Sequence, residues 1–142
     1  MVEWQKKLEG FFQQSEKSKQ DKLTSELARF IEDVVMPAFD AVKQEMEKHG
    51  RDVTIRNAST SASLSVHHGG EEELTYRVQG RIFPSRVLPY VELRFRERKG
   101  LRLLRTEVMF RDGAVEYGLT DITREEIIQH FVDNYVRRVK VE

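Results

Sequence analysis

The segment Tyr90–Leu119 constrains this chain more than any other, because its faces can be checked against one another. A two-residue turn at Lys99-Gly100 sets Phe95 opposite Leu104, Leu93 opposite Thr106 and Val91 opposite Val108. A second turn at Asp112-Gly113, a favoured hairpin dipeptide, sets Phe110 opposite Val115 and Val108 opposite Tyr117. Both hairpins send their apolar residues to the same side. A slip of one residue in either turn would move every side chain to the other face, so the agreement argues for this register. The opposite side then carries Arg94, Arg96 and Arg105, with Arg94 directly across from Arg105.

Three further strands precede this meander. Val53–Asn57, Ala62–His67 and Leu74–Phe83 alternate apolar and polar residues, with Leu74, Tyr76, Val78 and Ile82 facing inward. Pro84 and Pro89 bracket Ser-Arg-Val-Leu, which reads as the one long connection in the sheet. Leu23, Leu27, Phe30, Ile31, Val34, Val35, Ala38, Phe39, Val42 and Met46 recur at helical spacing. Lys48, His49 and Gly50 suit the end of that helix. Pro37 lies inside the pattern without breaking its phase, which predicts a kinked helix, with a break into two helices as the alternative. Thr123 and Glu126 have capping-box spacing at the start of a last helix. Its apolar face is Ile127, Ile128, Phe131, Val132, Tyr135, Val136 and Val139. Both apolar faces are wider than one neighbour requires, so each helix should touch the sheet and the other helix.

The expected fold is therefore α+β. A long amino-terminal helix kinked at Pro37, about six antiparallel meandering strands and a carboxy-terminal helix make residues 23–142 one domain, both helices on one sheet face. Residues 1–22 form an amphipathic arm with a polar spacer. Trp4, Leu8, Phe11 and Phe12 make a narrow stripe, and Gln13–Lys22 contains no apolar residue. If helical, those ten residues hold the arm ~15 Å from the body. The element order is similar to that of dimeric secretion-chaperone folds and, less closely, of PH-like or helix-grip domains. It is a likeness of order alone, and no functional residue is carried over from it.

Formal charge is zero although charged residues make up 34% of the chain, so net charge gives no pull toward DNA or membrane. Its distribution is uneven: Arg77–Arg111 holds nine Arg and one Lys against three acidic residues. Alternation places Arg56, Arg77, Arg81, Arg94, Arg96 and Arg105 on the sheet side away from the helices. Arginine forks suit phosphate or carboxylate, so an anion or nucleic-acid site is one reading of this face. A solvated or dimer-contacting surface is the leading one. Diagonal Arg94–Glu107 and Arg105–Glu92 pairs could neutralise the like charges, and the face offers no aromatic for base stacking.

Little else carries chemistry. Absent cysteine removes disulfides and thiolate sites and fits a reducing cytoplasm. No signal peptide or membrane-length apolar run is present. His67-His68-Gly69-Gly70-Glu71-Glu72-Glu73 reads as an exposed hairpin rather than a metal site, and His130 falls on the polar side of the last helix. No elbow, phosphate loop or acid–base pair occurs, so an enzyme is disfavoured and no cofactor is expected. The arm residues Trp4, Leu8, Phe11 and Phe12 either fold back on their own core or meet a protein partner. The leading function is a non-catalytic interaction module, a homodimer without membrane contact. Anion or nucleic-acid binding through the arginines is the first alternative. A small-ligand pocket between sheet and helices, near Tyr76 and Tyr117, is the second.

Overall fold

A computed structural model describes residues 2–96, 102–113 and 117–139. Three helices and five strands follow one another as α1 (Glu3–Phe30), α2 (Met36–Lys48), β1 (Asp52–Ala58), β2 (Ser61–His68), β3 (Glu71–Ile82), β4 (Val87–Arg96), β5 (Leu103–Met109) and α3 (Arg124–Arg138). All neighbouring strands are antiparallel and lie in the order of the chain, β1 to β5. The helices cover one face, as the widths of their apolar stripes require, and α2 and α3 also pack on each other.

The meander register is as expected: Phe95 pairs with Leu104, Leu93 with Thr106, Val91 with Val108 and Arg94 with Arg105. Residues 99 and 100 of the first turn lie outside the described residues, as does Val115 of the second. The expected pairing of Val108 with Tyr117 is not found. Tyr117 and Gly118 are not in a strand, and Leu119–Asp121 is a single 3-10 turn. The Tyr117 hydroxyl instead accepts from the Phe110 N–H at 3.1 Å and donates to the Pro89 carbonyl at 2.9 Å.

That second bond explains Pro89. The expected long connection from Pro84 to Pro89 is only a turn closed by Phe83 N–H on the Arg86 carbonyl, and β4 already begins at Val87. Within an antiparallel strand a residue's nitrogen and carbonyl point to the same edge. Pro89 pairs with Gly80 but turns its polar edge away from β3, beyond the last β5 partner, Met109. Its missing N–H therefore removes no ladder bond.

Pro37 does not split the first helix. Helical backbone runs from Glu3 to Lys48, with a π-helical stretch at Ile31–Val35 where the Met36 N–H reaches back to the Ile31 carbonyl. The widened turn just ahead of the proline accommodates a residue without an N–H. At the other end, Gly50 N–H bonds Glu47 and Arg51 N–H bonds Met46, a Schellman closure.

Leu27, Phe30, Ile31, Val35, Ala38, Phe39 and Val42 are buried against Leu64, Val66, Leu74, Tyr76, Val78, Val91 and Leu93 of the sheet and Ile127 and Phe131 of α3. Tyr76 is the centre of an aromatic cluster, edge-on to Phe39 at 6.0 Å and to Phe131 at 5.5 Å. Two parts of the expected core differ. Ile82 ends β3 largely exposed, and Val132 and Val136 are exposed on α3 because Ile127 and Phe131 already fill its contact with the core.

The tightest point is Gly80, where a Cβ would come within 2.8 Å of both Leu27 methyls and of Val87 Cγ1. Gly80→Ala should therefore cost about 1–3 kcal/mol in urea unfolding. The penalty should shrink when Leu27→Ala is introduced as well, since the crowded methyls are then gone. Equal penalties in both backgrounds would show that the glycine does not make room for Leu27.

Candidate functional site

The outer face of the sheet, away from the helices, is concave. Its backbone register lays polar side chains in two rows across all five strands. One row runs Arg56, Ser63, Arg77, Glu92 and Glu107; its neighbour runs Thr54, Ser65, Thr75, Arg94 and Arg105. All of these except Glu107 border a depression of about 470 Å³. Of the six arginines expected here, Arg56, Arg77, Arg94 and Arg105 line it. Arg81 is not among the lining residues; it lies 3.2 Å from Glu107, with its guanidinium 4.7 Å from the centre of the Tyr90 ring. Arg96 does not line it; its Nε is buried without a hydrogen-bond partner.

The expected diagonals between arginine and glutamate are not those formed. Glu107 pairs with Arg81, and Arg94 is held by Glu72 through two hydrogen bonds, Nε at 2.8 Å and Nη2 at 2.6 Å. Arg94 keeps the Glu72 carboxyl below its usual value, against the opposing effect of partial burial. A bulge brings Glu72 there. Strict alternation outward from Leu74 would turn Glu72 toward the helices, but the register shifts between Val66 and His67, leaving Glu73 as the extra residue and Glu72 opposite His67 on the outer face.

Glu73 points to the opposite face of the sheet. It accepts from Arg51 Nε at 3.2 Å and from the Tyr135 hydroxyl at 2.7 Å, joining the start of β1 to β3 and α3. Burial first, and then the nearby carboxylate, push the Tyr135 phenol up to about 12. The hairpin that delivers both glutamates turns at Gly69 and Gly70, with φ of 61° and 81°. Two consecutive positive values at a two-residue loop are the condition for a type I′ turn, which glycine meets without strain. Among the described residues no group of three or more His, Asp or Glu side chains gathers as metal ligands would.

Two aromatic or titratable residues escaped the sequence reading. Tyr90 lies on the outer face, alternating with buried Val91, so the face does hold one aromatic ring, covered by Arg81. His130 is not a solvent-facing histidine. Its Nδ1 lies 2.7 Å from the Tyr76 hydroxyl and its Nε2 lies 3.1 Å from the Met109 carbonyl. A carbonyl only accepts, so Nε2 carries the proton and Nδ1 accepts from Tyr76. The ring is neutral, and burial lowers its pKa below the ordinary 6.5. Tyr76, wholly buried, thus gives its hydroxyl to His130, and Tyr117 gives its own to Pro89.

The arm is helical throughout, so the polar residues 13–22 continue α1 instead of interrupting it. Trp4 is 61% exposed, Leu8 50%, Phe11 65% and Phe12 60%, and Trp4, Leu8 and Phe11 share one patch with the stem of Lys7. Phe11 and Phe12 meet edge to face at 5.4 Å. The apolar stripe does not fold back onto its own core.

No protein-family model matches the sequence, and no solved structure matches it. A glycine betaine transporter of Acinetobacter baylyi is 28% identical over 116 residues, which make up 80% of this chain and 17% of that protein. The chain therefore spans about one sixth of the length of the curated protein it resembles. Among the described residues no helix is long and apolar enough to cross a membrane.

His130 makes stability depend on pH in a definite direction. Above pH 6.5 the histidine is neutral in both folded and unfolded chains and its stabilisation is complete. As pH falls through 6.5 toward the lower folded value, the unfolded chain binds a proton that the folded chain refuses, and the free energy of unfolding declines. His130→Gln lacks this response. The stability gap between wild type and variant, measured by urea unfolding, should narrow from about pH 7.5 to about pH 5.5. Parallel losses in the two proteins would rule out the buried histidine as the cause.

Proposed function

We propose that this chain is a non-catalytic interaction module that pairs with a second copy of itself through the amino-terminal arm, in a cytoplasmic setting. The observation that carries this reading is the exposed stripe of Trp4, Leu8, Phe11 and Phe12 on a helix that stands away from its own core. A stripe this narrow suits one neighbouring helix, and two identical arms laid side by side give each other that neighbour.

The energetics favour a reversible pair. Fully burying an aromatic or leucine side chain is worth about 1.5–3 kcal/mol, and these are already half covered, so eight of them from two arms supply roughly 6–12 kcal/mol. Association costs about 4–15 kcal/mol, which leaves a modest surplus at best. The pair should therefore be weak and dissociate on dilution.

Light scattering coupled to size exclusion tests this. The 16.7 kDa chain should give a mass approaching twice that value at hundreds of micromolar and fall toward one chain on dilution. Trp4→Glu combined with Phe11→Glu should hold it at the single-chain mass with an unchanged circular dichroism spectrum. A wild-type protein that stays monomeric at the highest concentration would sink the reading.

A further inference from the structure

We propose that the concave outer face of the sheet binds a multiply charged phosphate ester of about nucleotide size. The site is separate from the arm and goes beyond the pairing described above. Its volume, about 470 Å³, falls within the ~300–1,000 Å³ of small-molecule sites. Four arginines against two glutamates line it, so the depression is positive although the chain as a whole is neutral.

The arginines are arranged for capture. Arg56 and Arg105 have no hydrogen-bond or ion-pair partner among the described residues, and Arg77 has only a 3.3 Å contact to Ser61 Oγ. Arg94 is different. Glu72 takes its Nε and Nη2, which fixes the plane of the guanidinium and leaves the Nη1 hydrogens free to donate. A fixed fork loses less freedom on binding than a mobile one. Directly across from it stands Arg105, a like-charge pair that an anion between them would relieve.

Spacing selects the ligand. Arg94 and Arg105 are on adjacent strands, while Arg56 and Arg77 flank β2. At roughly 4.8 Å per strand, the two pairs are centred about 12 Å apart across the sheet, and their rows are offset by about 7 Å along it. One phosphate, or two joined in a diphosphate, reaches one pair; only phosphates at opposite ends of a single molecule reach both. Glu92 lies between the pairs, where it repels a continuous polyanion and accepts from a ligand hydroxyl. Single-stranded nucleic acid fits less well, because the ring of Tyr90 is covered by Arg81 and no open stacking platform remains beside the arginines.

Isothermal titration of the full chain with a hexose bisphosphate carrying its phosphates at opposite ends, and with pyrophosphate for comparison, at low and moderate salt, tests the site. Sedimentation with phosphatidylglycerol and phosphatidylcholine vesicles tells a lipid headgroup from a soluble phosphate. Binding should weaken with salt. Arg56→Glu with Arg105→Glu should weaken it at least ~10-fold, since each loses a charge-assisted hydrogen-bonding group. Lys19→Glu with Lys22→Glu alters net charge equally on the exposed helix and should leave binding unchanged. Loss confined to the arginine variant supports the site, for whichever phosphate source binds. No binding to any of these ligands at low salt, or equal loss in both variants, overturns it.

Discussion

The close approach of Leu27 to Gly80 decides how the rest of the molecule is laid out. A helix can come this near a sheet only where the strand offers no side chain, and β3 offers that gap at one inward position. Leu27 fills it, and from there the helix crosses the sheet through Phe30, Ile31, Val35 and Phe39. Residues before Leu23 have passed the edge of this contact. With no apolar residue between Gln13 and Lys22, nothing holds that stretch down, and the helix continues outward on its own hydrogen bonds. The exposed arm is thus a consequence of where the packing begins.

A single inserted residue organises the other face. The bulge at Glu73 sends two consecutive glutamates in opposite directions, one to Arg94 and one to Arg51 and Tyr135. Without it, Glu72 would face an apolar interior and Arg94 would confront Arg105 uncompensated. The Glu72–Arg94 pair is part-buried, so desolvation offsets much of its Coulombic gain. The Glu72 pair is therefore better understood as orientation than as stability: it sets one guanidinium in a defined plane at the rim of a positive depression.

What the sequence made legible follows from how each feature is encoded. The β4–β5 register was readable because five apolar residues had to agree across one turn, and alternation leaves no freedom once they do. The helix core was readable for the same reason at a different period. The bulge was not, because one inserted residue leaves both flanking runs of alternation intact and merely changes their relative phase. His130 was missed because its partners, Tyr76 and Met109, come from strands 54 and 21 residues away, and a helical wheel records only its own helix. Tyr90 was within reach: it alternates with Val91, and its outward direction followed from the register already in hand. Pro89 misled because a proline reads as punctuation unless the free edge of its strand is known.

The two surfaces are independent by construction. The helices occupy one face of the sheet, and the arm extends that layer; the arginine depression lies on the opposite face. Between them stands a core whose central polar groups, Tyr76 and His130, are satisfied by each other and by Met109. The His130 Nε2 atom also lies 3.4 Å from Asn134 Nδ2, so the ring is held by both strands and by its own helix. The proposed pairing through the arm and the proposed anion capture on the sheet can therefore coexist in one chain. A coupling between them would have to run through strands that both share: β3 carries Gly80 beneath the helix and Arg77 in the depression, and β4 carries Val87 and Arg94. Side chains at positions three apart on a strand point to opposite faces, so even there the two functions touch the same backbone from opposite sides.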